Sequence, residues 1–188
     1  VSNMSWKFPL VINGTADDRL LDTYHEERDA HARVLVDWAF AIGRLMEHLA
    51  DVEAAERAGE VPPETPSALR SSGYGQGREA PPLRDGAVML DQVSDTGSTG
   101  YLFSQPIVSD GRRELRLDDL LGEDFALVGR TAADIEMSDH SRHILDRLGA
   151  TVVTLDGLTE TRGHFDRLFE RHGAAIVRPD RVVFGHTT

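Results

Sequence analysis

Phe125-Ala126-Leu127-Val128-Gly129 is an unbroken apolar run closed by glycine, and its reading decides the fold. A run this short, bounded by turn residues, reads as a strand covered on both faces. Downstream, residues 138–148 carry helical spacing and stop at Gly149. Ala150-Thr151-Val152-Val153-Thr154-Leu155 then reads as a second buried strand. Residues 164–171 read as a helix closed by His172-Gly173. Ala174-Ala175-Ile176-Val177 and Arg181-Val182-Val183-Phe184 read as strands joined by a tight turn at Arg178-Pro179-Asp180. Upstream, residues 115–121 read as a strand edge running into a short helix. The order β-α-β-α-β-β predicts a small α/β sandwich over residues 100–188.

Two regions of different texture precede it. Residues 60–99 hold Pro62, Pro63, Pro66, Pro81 and Pro82 around Ser71-Ser72-Gly73-Tyr74-Gly75-Gln76-Gly77. So long a Pro/Gly-rich stretch reads as a connector crossing a larger body. Residues 1–59 read as helical. Leu21, Tyr24, Arg28, His31, Leu35, Trp38, Ile42, Leu45 and Leu49 recur at steps of three and four, a single stripe on a long helix. Thr15 or Asp17 is its candidate cap, and Gly59 with Pro62 its stop. Arg28 and His31 interrupt the stripe and are expected to pair with a neighbouring segment or with Asp22 and Glu27. Pro9 predicts a kink or an end in the first helical stretch. A start at Val1, inside a helical segment, reads as a fragment or processed product of a longer chain.

Composition excludes several classes. The 188 residues carry 20 basic and 32 acidic side chains, a formal net charge of −12. A chain this acidic repels phosphate backbones, so nucleic acid is not an expected partner. Without cysteine there is no disulfide, thiolate nucleophile or zinc–thiolate site within it. No apolar run approaches the roughly 20 residues needed to span a bilayer. No membrane partner and a cytoplasmic location are therefore expected.

Motifs at both ends resemble one family. Asn3-Met4-Ser5-Trp6-Lys7-Phe8 followed by Gly14 resembles the N-L-x-W-K-L…G stretch of class A FAD-dependent aromatic monooxygenases. Leu20-Leu21-Asp22-Thr23-Tyr24-His25-Glu26-Glu27-Arg28 is similar to their L-L-D-x-Y-x-x-E-R. Gly122-Glu123-Asp124-Phe125-Ala126-Leu127-Val128-Gly129 resembles the opening strand of their C-terminal domain. Ala174-Ala175-Ile176-Val177-Arg178-Pro179-Asp180-Arg181-Val182-Val183 is similar to their closing A-x-x-V-R-P-D-x-x-V. The likeness runs to 3-(3-hydroxyphenyl)propionate hydroxylases and related phenolic hydroxylases.

The resemblance implies that residues 1–59 are the helical end of the FAD and substrate domain, and 60–99 the connector. It implies for residues 100–188 a thioredoxin-like domain without redox cysteines. The parent would use FAD, NAD(P)H and O2 to hydroxylate a phenolic compound. The segment itself would be mainly structural, with a homodimer as a candidate assembly. The partners implied are the missing N-terminal flavin domain and the phenolic substrate. The G-x-G-x-x-G phosphate turn is absent from these residues, so tight FAD retention by the segment alone is not expected. The alternative is a stand-alone interaction module or one subunit of a split flavoenzyme.

Individual candidates are few. Asn3 is the one residue expected near the flavin, because it opens the helix after the missing motif; helix capping or packing competes with that role. Trp6 reads as core. His140 and His143, with Asp139, have a metal-ligand spacing but no third ligand, so an exposed polar face is expected and no metal. Gly73, Gly75 and Gly77 lack the Lys-Ser/Thr of a phosphate loop. Tyr74 reads as packing before it reads as a pocket residue. No catalytic residue is assigned.

Overall fold

The computed structural model describes residues 2–66, 81–94, 96–163 and 168–187. It divides into two compact units, Val1–Arg28 with Pro82–Thr188, and Asp29–Pro81.

The larger unit is built on two sheets. The main one has four strands: β3 (Ala126–Gly129), β4 (Thr151–Thr154), β6 (Ala174–Val177) and β7 (Val183–His186), in the order β4-β3-β6-β7. β3 pairs parallel with β4 and antiparallel with β6, and β6 pairs antiparallel with β7. The smaller sheet joins β2 (Glu114–Arg116), β1 (Ile107–Ser109) and β5 (Thr159–Arg162) in the order β2-β1-β5.

Alternation along the strands sorts the main sheet's side chains onto two cores. Ala126, Val128, Ala175, Val177 and Val183 pack with Phe103, with Leu117 and Leu121 of α3 (Leu117–Leu121), and with Leu168 and Phe169 of α5 (Leu168–Arg171). Leu127, Ala174 and Ile176 pack on the other face with Leu145 of α4 (Asp139–Arg147). The α4 helix starts as its sequence says, with Ser138 accepting the Ser141 amide as a cap.

Several strand readings are corrected. β4 lies at the sheet edge and leaves Val152 45% exposed, so it is not a buried strand. β7 begins two residues later than the apolar run suggests. The turn before it is longer, because Arg181 adopts a positive φ of 64° and Val182 bridges to Leu102 instead. β1 and β5 have no counterpart among the predicted strands.

Two helices open the chain. α1 (Ser2–Ile12) runs through Pro9, so the helix does not end there. A proline forfeits only the bond to the carbonyl four residues back, and Asn13 still donates to the Pro9 carbonyl at 3.0 Å. After a turn, α2 (Arg19–Ala58) continues for 40 residues. The Asp17 carboxylate accepts the Arg19 amide at 3.1 Å.

In the smaller unit, α2 ends on Gly59 at φ 73°; the Gly59 amide donates to Glu56 and the Glu60 amide to Ala55. This pair of bonds needs a left-handed residue, and glycine takes it without strain. The predicted stripe is only partly realised. Leu45 is buried, while Leu35 and Leu49 are exposed, as are Val36, Phe40 and Met46 on other sides of the helix.

Candidate functional site

A fully buried arginine is the largest solvent-inaccessible side chain among the described residues. A guanidinium taken out of water needs compensating charge and a partner for every N–H. Arg178, in the turn after β6, has both. Its Nε and Nη2 donate to Asp180 at 3.0 and 2.7 Å. Its Nη1 and Nη2 donate to the two oxygens of Glu27 at 3.0 and 2.9 Å. The remaining Nη1 hydrogen reaches the Ala87 carbonyl at 3.0 Å. All five donors of the planar fork are thereby used.

Glu27, 1% exposed, is the hub. It projects from the third turn of α2 and also accepts from Lys7 Nζ and from the Ala87 amide, each at 2.9 Å. Lys7 is itself buried and gives a second bond to Thr23 Oγ1 at 2.7 Å. Asn3, one turn before Lys7 on the same face of α1, donates Nδ2 to Glu27 and, at 3.2 Å, to Asp180. The loop backbone can reach the Glu27 carboxylate because residue 86 is glycine. Gly86 has φ 88°, and a Cβ there would overlap the Glu27 side chain.

The cluster sums to zero: Lys7 and Arg178 against Glu27 and Asp180. Burial alone would raise the Glu27 carboxyl, but the bonds and charge of Arg178, with the Ala87 amide and Asn3, outweigh it and hold the group below its ordinary range. Burial pulls the Lys7 ammonium below its ordinary value, against the opposing pull of Glu27. Burial also disfavours the Arg178 cation, yet Asp180 and Glu27 overcome it and raise the group. Trp6 roofs the charges, its ring centroid 4.9 Å from Arg178 Cζ and 5.4 Å from Lys7 Nζ. Its other side meets Phe125 edge-on at 5.3 Å, which ties α1 to the start of β3.

Two polar atoms here have no partner among the described residues, Asn3 Oδ1 and Trp6 Nε1. Trp6, Ser2, Ser5, Glu123 and Asp124 line a cleft of about 240 Å³ beside α1. The cluster offers no nucleophile and no free general base, since both carboxylates are fully engaged. Its chemistry is that of a rigid frame which holds one amide, Asn3, in a fixed attitude.

The remaining sequence candidates scatter. Trp6 is core, as expected. Asp139, His140 and His143 are exposed on α4, and no group of three metal-ligating side chains occurs among the described residues. Gly73, Tyr74, Gly75 and Gly77 lie outside the described residues. Glu27 is taken up by Lys7 and Arg178. Lys7, Arg178 and Asp180 were not singled out from the sequence, and Glu27 only as a partner for Arg28 or His31. The signal that could have found them is that each lies inside one of the quoted motifs.

The comparisons converge on the same class. Residues 100–188 match the HcaD C-terminal domain, and residues 1–39 match the FAD binding domain. The chain carries the HcaD C-terminal domain and is similar to a part of FAD-dependent aromatic hydroxylases. In particular, it is 39% identical over 135 residues to a 3-(3-hydroxy-phenyl)propionate/3-hydroxycinnamic acid hydroxylase of Mycolicibacterium vanbaalenii, covering 68% of this chain and 23% of that protein. The enzyme of the same name from Burkholderia cenocepacia is 29% identical over 223 residues, covering 100% of this chain and 39% of the relative. The chain thus spans well under half the length of these relatives. Among solved structures, aklavinone-11 hydroxylase in a ternary complex with FAD and aklavinone is 23% identical, with a TM-score of 0.59 over 98% of this chain and 35% of that one. The flavin-dependent monooxygenase PieE, in complex with FAD and substrate, is 21% identical, with a TM-score of 0.62 over 98% and 40%. Those two likenesses concern the fold. No helix among the described residues is long and apolar enough to cross a membrane.

Proposed function

We propose that this chain is the C-terminal portion of a cytoplasmic FAD-dependent monooxygenase that hydroxylates a phenolic compound with NAD(P)H and O2. The observation that carries the reading is the convergence of the family-like motifs. Asn3, Trp6 and Lys7, then Glu27, then Arg178 and Asp180 are far apart in sequence and meet in one buried cluster. Residues 1–59 would close the flavin and substrate domain, 60–99 would be the connector, and 100–188 a thioredoxin-like domain. The strand order β4-β3-β6-β7, with its first pair parallel and its last antiparallel, supports that last assignment.

A flavin, when bound, supplies electron transfer and oxygen activation; the protein supplies orientation and a dry site. Asn3 is the residue proposed to lie nearest the cofactor; its Oδ1 has no hydrogen-bond partner among the described residues. The phosphate-binding turn is absent from these 188 residues, so the segment alone would hold FAD weakly. Exposed Val36, Phe40 and Met46 on α2 favour a covering surface, supplied by the preceding domain or by a second copy. The same residues would serve a stand-alone interaction module or one subunit of a split enzyme.

The decisive experiment is to read the DNA upstream of the Val1 codon and purify the whole encoded polypeptide. A frame running back through G-x-G-x-x-G, a flavin absorption spectrum, and NAD(P)H- and O2-dependent hydroxylation of 3-(3-hydroxyphenyl)propionate or another phenol are the expected results. A full-length product without flavin would overturn the reading.

A further inference from the structure

We propose that Asn13 is a site of spontaneous covalent modification, its side-chain amide being lost to attack by the Gly14 backbone nitrogen. The inference is independent of the flavoenzyme reading. The chain has two asparagines, in opposite circumstances. Asn3 lies within α1, is 8% exposed, and gives both Nδ2 hydrogens to Glu27 and Asp180. Asn13 stands just past the end of α1, is exposed, and is followed by glycine. Gly14 has no side chain to crowd the approach of its nitrogen to Asn13 Cγ. Among the described residues, apart from its chain neighbours, no atom lies within 4 Å of where a Cβ would stand. The Gly14 N–H is restrained by a bond to the Val11 carbonyl at 3.0 Å. That bond belongs to the exposed end of a helix, where turns open most readily.

The step balances without oxidant or reductant. The Gly14 nitrogen, having given its proton to solvent, attacks Asn13 Cγ. The new N–Cγ bond closes a cyclic imide, the Cγ–Nδ2 bond breaks, and ammonia leaves. Water then opens the ring. Cleavage at Cγ leaves aspartate; cleavage at the Asn13 carbonyl carbon leaves isoaspartate, with the backbone rerouted through Cβ and Cγ. Either product sets a carboxylate at the C-terminal end of α1. The helix carbonyls already carry partial negative charge there, and Asp17 and Asp18 follow. Isoaspartate also lengthens the backbone of the turn. The Thr15 and Ala16 amides, which close α1 on the Leu10 carbonyl at 2.8 and 3.0 Å, then lose their register. Because α1 carries Asn3 and Lys7, a loosened end reaches the buried cluster.

The test uses the full-length polypeptide, aged in mildly alkaline buffer at physiological temperature and compared with fresh protein. Trypsin cuts after Lys7 and Arg19 and isolates Asn13 in the peptide of residues 8–19. Two products of this peptide should grow with time, aspartate and isoaspartate, each heavier by the exchange of an amide for an acid. The peptide bearing Asn3 should stay unchanged. Growth should slow at mildly acidic pH, where the nitrogen keeps its proton. If peptide 8–19 stays unchanged while the same protein aged in denaturant converts, the turn protects Asn13 and the proposal is overturned. Aspartate without isoaspartate would mean direct hydrolysis and overturn it too. Gly14→Ala should slow conversion strongly; conversion at the wild-type rate would overturn the role given to the glycine. Aged protein separated by ion exchange should unfold at a lower temperature than fresh protein. Equal temperatures would overturn the link to the cluster.

Discussion

Glu27 receives five hydrogen bonds from four other residues, so its removal tests the cluster most directly. Glu27→Gln leaves Lys7 and Arg178 buried against Asp180 alone and is expected to cost about 3–5 kcal/mol, measured by denaturant unfolding. The pH dependence has a definite sign. The folded carboxyl is held below its unfolded range, so the unfolded chain binds the proton more readily. The stabilisation is present above the ordinary glutamate range and is lost as pH falls through the folded value. Glu27→Gln should flatten that acidic limb in a series of melting curves. Gly86→Ala is the complementary probe. A Cβ would meet Glu27 at a φ that side chains disfavour, and a loss of about 2 kcal/mol or more is expected from thermal unfolding. None of this was legible in charge alone. With 28% of residues charged, the default for each one is a solvated face. Only the motif context marks Lys7, Glu27, Arg178 and Asp180 as different.

Among the elements, those with long apolar runs or clear stops were legible. β3, α4 and β6 lie where their sequences place them, because each carries a core-facing pattern and a bounding turn. β5 was not legible. Thr-Glu-Thr-Arg has no apolar face, and its strand character comes from pairing with β1, whose Val108 alone reaches the core. β7 slipped by two residues because Arg181, not a glycine, adopts the left-handed conformation, which composition does not announce. The end of β7 carries its own pH response. His186 stacks on His172 at 3.5 Å between ring centroids. Burial, followed by the His186 charge, pushes the His172 imidazole below its ordinary value. The unfolded state therefore binds the proton first, and stability at this edge is lost as pH falls through the folded value. Protection factors of the β6 and β7 amides should fall on acidification, and His172→Asn should remove that response. At the other end of the chain, Gly59→Ala should destabilise the last turn of α2 by about 1 kcal/mol, visible as faster exchange of the Glu60 amide.

At the scale of the whole molecule, family membership was legible because the motifs keep their order along the chain. The exposure of Phe40, at 65%, was not, since the same apolar spacing would serve a covered helix. Replacing Phe40 and Met46 together with glutamine should leave the fold intact and reduce self-association in sedimentation velocity, if that face meets a second copy. The reach of the cluster also has a consequence for how the protein is made. Arg178 and Glu27 are 151 residues apart. A ribosome adding roughly 5–20 residues per second completes that interval in about eight to thirty seconds. Throughout it, the acid and the lysine of the nascent chain are out in water with no arginine to meet. α1 can take up these contacts only after the β6–β7 hairpin has been synthesised, so a helix made early in this segment is among the last of its elements to settle.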